Sequence, residues 1–354
     1  MISMRSCSHA GRRKGAPRRR RFTRMDAMLH TSLCERLSIR YPIILAGMAY
    51  AGDHALAAAV SRAGGLGVIG SGNLSPDELA AAIAAYYRET SVPPGVNVFL
   101  KDPESPAKAA RACAMGIGAL FTGIGNPAAV VHYAKDAGIP LIPTVATVRH
   151  ALSSLAAGAD LLVAEGQEGG GHIGSIGTMP LIAQVRAAVG DRVPVIAAGG
   201  IGDGTQLAAC LMMGAVGVMM GTRFLAAHEC PVHDDLKDSL VACGIDSTTV
   251  TGNFTGFPMR CLANDFTRAF QEMEKATPSL ELLLFGKGKI AEGLIGGDVR
   301  NGSCPVGQVV GQITCRESAG EIIERVVREA GTVTEHVVRN GGFNRWEGGS
   351  IPAC

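Results

Sequence analysis

The sequence has few aromatic residues and no long apolar run. One Trp, five Tyr and ten Phe make up 5 % of its 354 residues, which argues against an aromatic-rich binding surface. A run of roughly 18 consecutive apolar residues does not occur, so we expect no contact with membrane through a spanning helix. Because 47 % of the residues are hydrophobic and only 18 % are charged, the composition excludes a disordered chain and suffices for a large core.

Acidic residues are absent from residues 1–24, which contain nine basic ones. The remainder has 24 basic and 31 acidic residues, so its net charge is −7 and we expect no nucleic acid partner. We interpret residues 1–29 as a disordered basic leader. A nucleic-acid arm, a transit peptide and an upstream start preceding Met25 or Met28 are the alternatives. No apolar segment typical of a secretion signal follows it.

The ten cysteines lack the spacing of a metal site. There is no Cys-x-x-Cys pair, and no cysteine stands at a zinc-like interval from a histidine. We therefore predict no metal, reduced thiols and a cytoplasmic location.

Glycine is abundant, with 47 residues against a usual share of ~7 %. Most glycines follow short apolar runs, and Ala-rich stretches with helical spacing separate these runs. Eight such units predict eight buried parallel strands, and eight strands favour an α/β fold of the closed (β/α)8 TIM barrel type over a doubly wound sheet. The predicted strands are Pro42–Ala46, Leu66–Gly70, Gly95–Leu100, Gly118–Gly123, Ile139–Val145, Asp160–Ala164, Val193–Ala198 and Val216–Gly221.

The predicted domain organisation follows from where the alternation of strands and helices continues and where it stops. Residues 30–229 form the barrel, and residues 230–305, which are polar and partly helical, form a smaller cap domain inserted after the eighth strand. Residues 306–338 contain a helix that packs back on the barrel, and residues 339–354 form a mobile tail.

The last two barrel strands each end in a glycine turn that precedes a helix. These turns contain Gly199-Gly200 and Gly221-Thr222. Glycine lets the backbone approach an anion closely, and a helix N-terminus supplies free N–H donors. Two such turns on consecutive strands predict the phosphate site of a TIM barrel, whereas the structural alternative is that glycine merely allows tight turns.

Two features near the first strands favour a flat heteroaromatic ligand at the barrel mouth. The segment Ala46-Gly47-Met48 ends the first strand, where its backbone could bind a ring while Met48 packs on it. Asn97 interrupts an apolar strand and needs a polar partner, which is either a ligand edge or an internal hydrogen bond to the next strand.

The loop after the sixth strand carries His172 behind three consecutive glycines. This pattern predicts a histidine presented from a flexible, exposed loop, and imidazole suits acid–base chemistry near neutral pH. Glu165 and Glu168 are candidates to orient His172 or to bind the ligand, although Glu168 is equally well explained as a solvated charge. The other histidines considered, which are expected at the surface, are His132, His150, His228 and His233.

These motifs resemble those of the nitronate monooxygenase (2-nitropropane dioxygenase) superfamily, which also contains the FMN-dependent type II enoyl-ACP reductases. The matching segments are Ala46–Met48, Ala63–Gly67, Gly95–Asn97, Glu165–His172, Ala198–Ile201 and Gly221–Phe224. The resemblance implies that His172 is catalytic. It also implies that FMN is held by Ala46, Gly47, Met48, Asn97, Glu165, Gly170, Gly171, Gly199, Gly200, Met219, Met220, Gly221 and Thr222.

Two positions depart from the family pattern. Met219 replaces a frequent Gln, and Gly169 replaces the usual Ala. A similarity of Val218–Gly221 to IMP dehydrogenase is set aside because the loop after the sixth strand has no cysteine.

The resemblance lies closest to the enoyl reductase branch. It implies reduction of a 2-enoyl thioester by FMN, with NAD(P)H as reductant and a small-molecule or acyl-thioester substrate that an acyl carrier protein could carry. Oxidation of alkyl nitronates by O2 is the second hypothesis, and a non-catalytic FMN- or phosphate-binding module is the third. A homodimer is considered as the assembly.

Overall fold

The computed structural model describes residues 24–339, so the predictions for the mobile tail and for most of the basic leader lie outside the described residues. The predicted disordered leader extends to residue 29, but residues 24–29 form the first helix, so the prediction is wrong for these six residues. Leu29 of this helix is buried in the core, so the helix is part of the folded protein.

The strands of the described part fall into a large parallel sheet and a small antiparallel one. In chain order they are β1 (Ile43–Leu45), β2 (Val68–Gly70), β3 (Gly95–Phe99), β4 (Ala119–Gly123), β5 (Leu141–Val145), β6 (Leu162–Glu165), β7 (Gly171–His172), β8 (Val195–Ala198), β9 (Val218–Met220), β10 (Thr248–Thr251) and β11 (Met259–Leu262).

The helices of the same part surround the parallel sheet or belong to the segments that follow it. They are α1 (Arg24–Leu29), α2 (Ser32–Leu37), α3 (His54–Arg62), α4 (Pro76–Glu89), α5 (Ser105–Ala114), α6 (Val131–Asp136), α7 (Val148–Ala156), α8 (Thr178–Val189), α9 (Gly204–Met212), α10 (Thr222–Leu225), α11 (Asp234–Val241), α12 (Asp265–Glu274), α13 (Ser279–Gly286), α14 (Lys289–Leu294) and α15 (Ala319–Arg339).

The parallel strands form a closed barrel. Their order is β1-β9-β8-β6-β5-β4-β3-β2, and each neighbouring pair in this order is parallel. The ring closes where Ile44 forms a bridge with Leu66 and where the Leu45 amide donates to the Leu66 carbonyl oxygen at 2.9 Å. The predicted (β/α)8 TIM barrel is therefore confirmed, and the eight predicted strands are the ones that build it.

Burial on both faces explains why these strands are continuous apolar runs. Phe121, Ile142, Val163 and Ile196 belong to a core that fills the barrel, whereas Leu120 and its neighbours pack between the sheet and the helices. The large Phe121 ring is accommodated because a Cβ at Gly95 would lie only 2.8 Å from it.

The helices begin where the sequence places capping residues. Ser75 accepts a hydrogen bond from the Glu78 amide, and the Glu78 carboxylate accepts one from the Ser75 amide. Pro76 stands at the first helical position, where its missing N–H is not needed.

The segment after the barrel contributes a second, small sheet above the mouth. β10, β11 and β7 form an antiparallel sheet in which β7 comes from the loop after β6, so the segment is joined directly to that loop. α15 then returns to the barrel and packs against α9, where Gly204 allows close contact because its Cβ would lie 2.2 Å from the Val326 carbonyl oxygen. Among the described helices, none is long and apolar enough to cross a membrane.

A candidate active site at the barrel mouth

A cavity of about 1170 Å³ opens at the carboxyl ends of the barrel strands. Almost all of the residues predicted for the site line it. These are Ala46, Gly47, Met48, Asn97, Glu165, Gly170, Gly171, His172, Gly199, Gly200, Met219, Gly221 and Thr222. The barrel thus brings together residues that are up to 176 positions apart in the sequence, because the parallel strands all end at this face.

Met220 is the exception among the predicted residues. Its side chain is 1 % exposed and packs in the core between the barrel and the helices, so the prediction that it contacts a ligand is wrong for its side chain. Strand alternation places Met219 toward the cavity and Met220 away from it. The Met220 carbonyl oxygen instead accepts a hydrogen bond of 2.9 Å from the Ala46 amide and holds β1 in register.

The turn after β8 has the geometry of an anion site. Gly199 and Gly200 have φ angles of 89° and 69°, which favour glycine. A Cβ at Gly200 would lie 2.7 Å from the Glu168 side chain. The amides of Gly200, Gly221 and Thr222 donate to no other described residue, and the three residues line the cavity beside one another because β8 and β9 are neighbours.

The N-terminus of α9 does not contribute the free donors that the sequence suggested. The Gly202 amide donates to Gln206 Oε1 at 2.7 Å, and the Gln206 amide donates to Asp203 Oδ1 at 2.8 Å. The Gly204 amide donates to Glu329 Oε2 of α15 at 2.9 Å. This part of the prediction is wrong because a capping box and a tertiary contact already occupy the first turn of the helix.

Asn97 joins strand β3, in which it lies, to the loop after β1. Its side-chain amide donates to the Gly47 carbonyl oxygen at 3.1 Å, so an internal hydrogen bond is present, although it reaches the β1 loop rather than the next strand. Gly47 must be glycine here because its Cβ would lie 2.2 Å from the Asn97 Cβ. The Asn97 backbone carbonyl oxygen accepts hydrogen bonds from the Ser71 amide and hydroxyl, whereas its side-chain Oδ1 accepts none from a described residue, and Asn97 lines the cavity.

His172 is held more firmly than a flexible loop would allow. It lies in β7, opposite Met259 of β11, and its imidazole stacks on Phe99 with ring centroids 5.8 Å apart. The side chain is exposed to the cavity, whose walls still remove part of its hydration and lower its pKa below the ordinary value. The imidazole is therefore mainly neutral at pH 7, and the predicted flexibility of this residue is wrong.

The loop that carries His172 is anchored on both sides. The carboxylate of Glu168 accepts hydrogen bonds from the Thr178 amide at 2.9 Å and from its hydroxyl at 2.8 Å, so Glu168 is neither a ligand contact nor a solvated charge. The Arg260 guanidinium donates to the Gln167 carbonyl oxygen at 3.0 Å. A Cβ at Gly170 would lie 2.6 Å from the Gly307 nitrogen, so this glycine serves close backbone packing.

Glu165 lies at the end of β6, on the wall of the same cavity. Its carboxylate accepts no hydrogen bond from a described residue. Desolvation raises its pKa to about 7, so both the carboxyl and the carboxylate form are populated at neutral pH.

Replacing Glu165 with Gln is expected to stabilise the flavin-free protein at pH 8 by about 3 kcal/mol, with little effect at pH 4.5. Because folding raises the pKa, the folded protein binds more protons than the unfolded chain between the ordinary pKa and pH 7. The free-energy cost of ionising Glu165 in the folded protein therefore grows with pH through this window. The Gln side chain carries no charge at either pH, so it removes this cost. Melting temperatures at both pH values measure the effect, with Glu104→Gln at an exposed position as the control. An unchanged melting temperature at pH 8 would contradict the account.

Several further cavity residues were not singled out in the sequence. Among them are Phe99, Lys101, Arg149 and Phe257. The sequence could have identified Phe99, because it lies two residues after Asn97. Side chains two positions apart in a strand point to the same face of the sheet. Lys101 and Phe257 lie in loops without periodicity, and Arg149 lies in α7 at an exposed position that has no distinguishing pattern. Of the histidines expected at the surface, His132, His150, His228 and His233 are all exposed, and His150 also lines the cavity.

The residues present fit the FMN that the resemblance implies. The amides of Gly200, Gly221 and Thr222, which donate to no other described residue and line the cavity side by side, suit a phosphate group. The side-chain Oδ1 of Asn97, which accepts no hydrogen bond from a described residue, and the carboxyl group of Glu165 suit the polar edges of a heteroaromatic ring.

Comparisons with known proteins agree with this geometry. The sequence model of the family described as nitronate monooxygenase matches residues 30–119 and 107–329. A (3aS,4S,5R,7aS)-5-hydroxy-7a-methyl-1-oxo-octahydro-1H-indene-4-carboxyl-CoA dehydrogenase of Mycobacterium tuberculosis is 36 % identical over 70 % of this chain and 70 % of its own. A probable nitronate monooxygenase of Staphylococcus saprophyticus is 32 % identical over 71 % of this chain and 83 % of its own.

Two solved structures share the fold. FabK from Thermotoga maritima superposes with a TM-score of 0.85 at 39 % identity, covering 88 % of this chain and 99 % of that one. The nitroalkane oxidase of Streptomyces ansochromogenes superposes with a TM-score of 0.74 at 30 % identity, covering 86 % and 99 %. The chain is an oxidoreductase, and it belongs to the nitronate monooxygenase family.

Proposed function

We propose that the chain is an FMN-dependent oxidoreductase that reduces a 2-enoyl thioester with NAD(P)H. The observation that carries this proposal is the cavity of about 1170 Å³, which exceeds the range of about 300–1,000 Å³ typical of sites for one drug-sized ligand. A cavity of this size has room for a long acyl chain or a nicotinamide beside the flavin, whereas a small nitronate needs little of it. The similarity to FabK and to the indene-4-carboxyl-CoA dehydrogenase of Mycobacterium tuberculosis supports an acyl thioester as the substrate class.

When bound, FMN supplies hydride chemistry that amino acid side chains lack. The protein's own contribution would begin with Gly200, Gly221 and Thr222, whose free amides would hold the phosphate end, and with Asn97, which holds the β1 loop through its hydrogen bond to Gly47. Each turnover adds two hydrogens across the double bond, one as hydride from NAD(P)H and one as a proton.

His172 is proposed to polarise the thioester carbonyl group. A neutral imidazole donates one N–H, and an N–H hydrogen bond to the carbonyl oxygen stabilises the negative charge that develops there after hydride addition. Stacking on Phe99 fixes the plane of the ring, and the lowered pKa keeps it neutral at pH 7. Proton delivery to the α-carbon is the other role for this residue, and it requires the imidazolium form.

Nitronate oxidation is the second candidate, because relatives named nitronate monooxygenase and nitroalkane oxidase share the barrel. In that reaction the neutral imidazole of His172 would act as a base or polarise the nitronate group, and NAD(P)H is not required. The two functions therefore differ in their need for a reductant.

The deciding experiment mixes the flavin-loaded protein with NADH or NADPH in the absence of oxygen and records the flavin absorbance. We expect rapid bleaching by at least one of the two, followed by recovery of the absorbance when a 2-enoyl-CoA thioester is added. Bleaching by an alkyl nitronate but by neither nicotinamide would contradict enoyl reduction and support nitronate oxidation.

A further inference from the structure

Two cations stand on one side of the cavity mouth. Lys101 follows β3, and Arg149 lies in the first turn of α7, which follows β5. Both side chains are exposed and both line the cavity. β4 lies between β3 and β5, and neighbouring strands are about 4.8 Å apart, so the ends of β3 and β5 are roughly 10 Å apart.

This side of the mouth faces the glycine turns that fit the FMN phosphate. In the closed ring, three strands separate β8 from β3 in either direction, so β3 lies across the barrel from β8. A flavin whose phosphate lies at the β8 and β9 turns and whose ring reaches the centre leaves the β3–β5 side of the cavity for the second reactant.

The positive charge on this side is not neutralised by the protein. The Lys101 ammonium group lies 5.4 Å above the centre of the Phe257 ring, and Arg149 forms no ion pair with a described residue. Asp102, the acidic residue next to Lys101, is paired with Lys108. Among the described residues that line the cavity, Glu165 is the one carboxyl group, and it belongs to β6.

We propose that Lys101 and Arg149 bind the phosphate groups of the second reactant, so that its tail lies on the β3–β5 side of the mouth while its reacting end reaches the flavin ring. The proposal rests on the proposed function, in which both reactants that alternate at the flavin have such a tail. Coenzyme A carries a diphosphate and a further phosphate, and so does NADPH. Two separated cations suit a ligand with more than one phosphate group, and Phe257 beside Lys101 offers an apolar surface to the tail.

The test uses the flavin-loaded protein in which Lys101→Met and Arg149→Met are combined. Methionine keeps an apolar stem of similar length and removes the charge, which limits damage to the contact with Phe257. Calorimetric titrations with coenzyme A, with NADP⁺ and with N-acetylcysteamine, which lacks phosphate, compare the variant with the parent. Because no turnover is needed, the result is independent of whether enoyl reduction proves correct.

We expect binding of coenzyme A, of NADP⁺ or of both to weaken about tenfold or more, and N-acetylcysteamine to bind as in the parent. Weakening of coenzyme A alone assigns the site to the thioester carrier, and weakening of NADP⁺ alone assigns it to the reductant; either supports the proposal. Increasing salt should reduce the difference between parent and variant. The matched control is Arg88→Met, at an exposed position at the end of α4 on the opposite face of the barrel.

Three results would overturn the proposal. The first is a parent protein that binds neither coenzyme A nor NADP⁺. The second is a double variant with unchanged affinity for both. The third is an equal loss of N-acetylcysteamine binding, which would indicate general damage to the cavity.

Discussion

The Gly200→Asp variant is expected to fold and to lose FMN, with binding weakened by two orders of magnitude or more, or about 3 kcal/mol. Gly200 has a φ of 69°, and Asp tolerates this conformation better than most residues. Its carboxylate would add negative charge beside the free amides of Gly200 and Gly221, and its Cβ would press on the Glu168 side chain. The ratio of flavin to protein absorbance after purification, and titration with FMN, measure the loss.

Two controls separate charge from shape in this experiment. Gly200→Asn has the same size and the same tolerance of positive φ but no charge, so it should retain more FMN than Gly200→Asp. Gly116→Asp introduces the same residue at a φ of 74° with no atom within 4 Å, and it should bind FMN normally. Full FMN occupancy in Gly200→Asp would remove the phosphate assignment, and equal losses in the Asp and Asn variants would remove the electrostatic explanation.

The His172→Ala variant is expected to keep FMN, and its turnover rate is expected to fall about 10²–10⁴-fold. This is the range typical of general acid–base groups. FMN retention follows because the glycine turns bind through backbone amides that this substitution does not alter. Reduction of the flavin by NAD(P)H should remain fast, and its reoxidation by the enoyl thioester should slow. Stopped-flow measurement of the two half-reactions tests this separation.

Packing and chemistry at this position are separated by His172→Phe. The phenyl ring preserves stacking on Phe99 but has no nitrogen, so the turnover of this variant should be as slow as that of His172→Ala. His132→Ala, at an exposed position on α6 outside the cavity, should behave as the parent. Activity of His172→Phe near the parent's would show that the ring shapes the site, and loss of FMN in His172→Ala would identify a cofactor contact.

The positions of the site residues along the chain could be predicted from the sequence. Continuous apolar runs identify strands buried on both faces, and eight of them close a barrel whose loops converge at one end. Gly199, Gly200 and Gly221 were thereby assigned to the mouth together, although they belong to different strands.

The direction and partners of individual side chains depended on contacts between distant segments. His172 was expected in a mobile loop, but pairing with Met259, 87 residues later, turns its segment into a strand. Lys101 and Arg149 carry no sequence signal, because exposed basic residues are common both in loops and on helix surfaces.

The amino-acid sequence by itself determined the barrel, the set of turns at its mouth and the presence of His172 there, because hydrophobic period and glycine placement are local properties of the chain. Only the tertiary structure decided that α9 is capped by Asp203 and Glu329, that Met220 faces the core, and that Glu168 binds Thr178 instead of a ligand. The physical reason is that a polar group's role follows from which partner satisfies it, and these partners come from segments that sequence spacing does not relate.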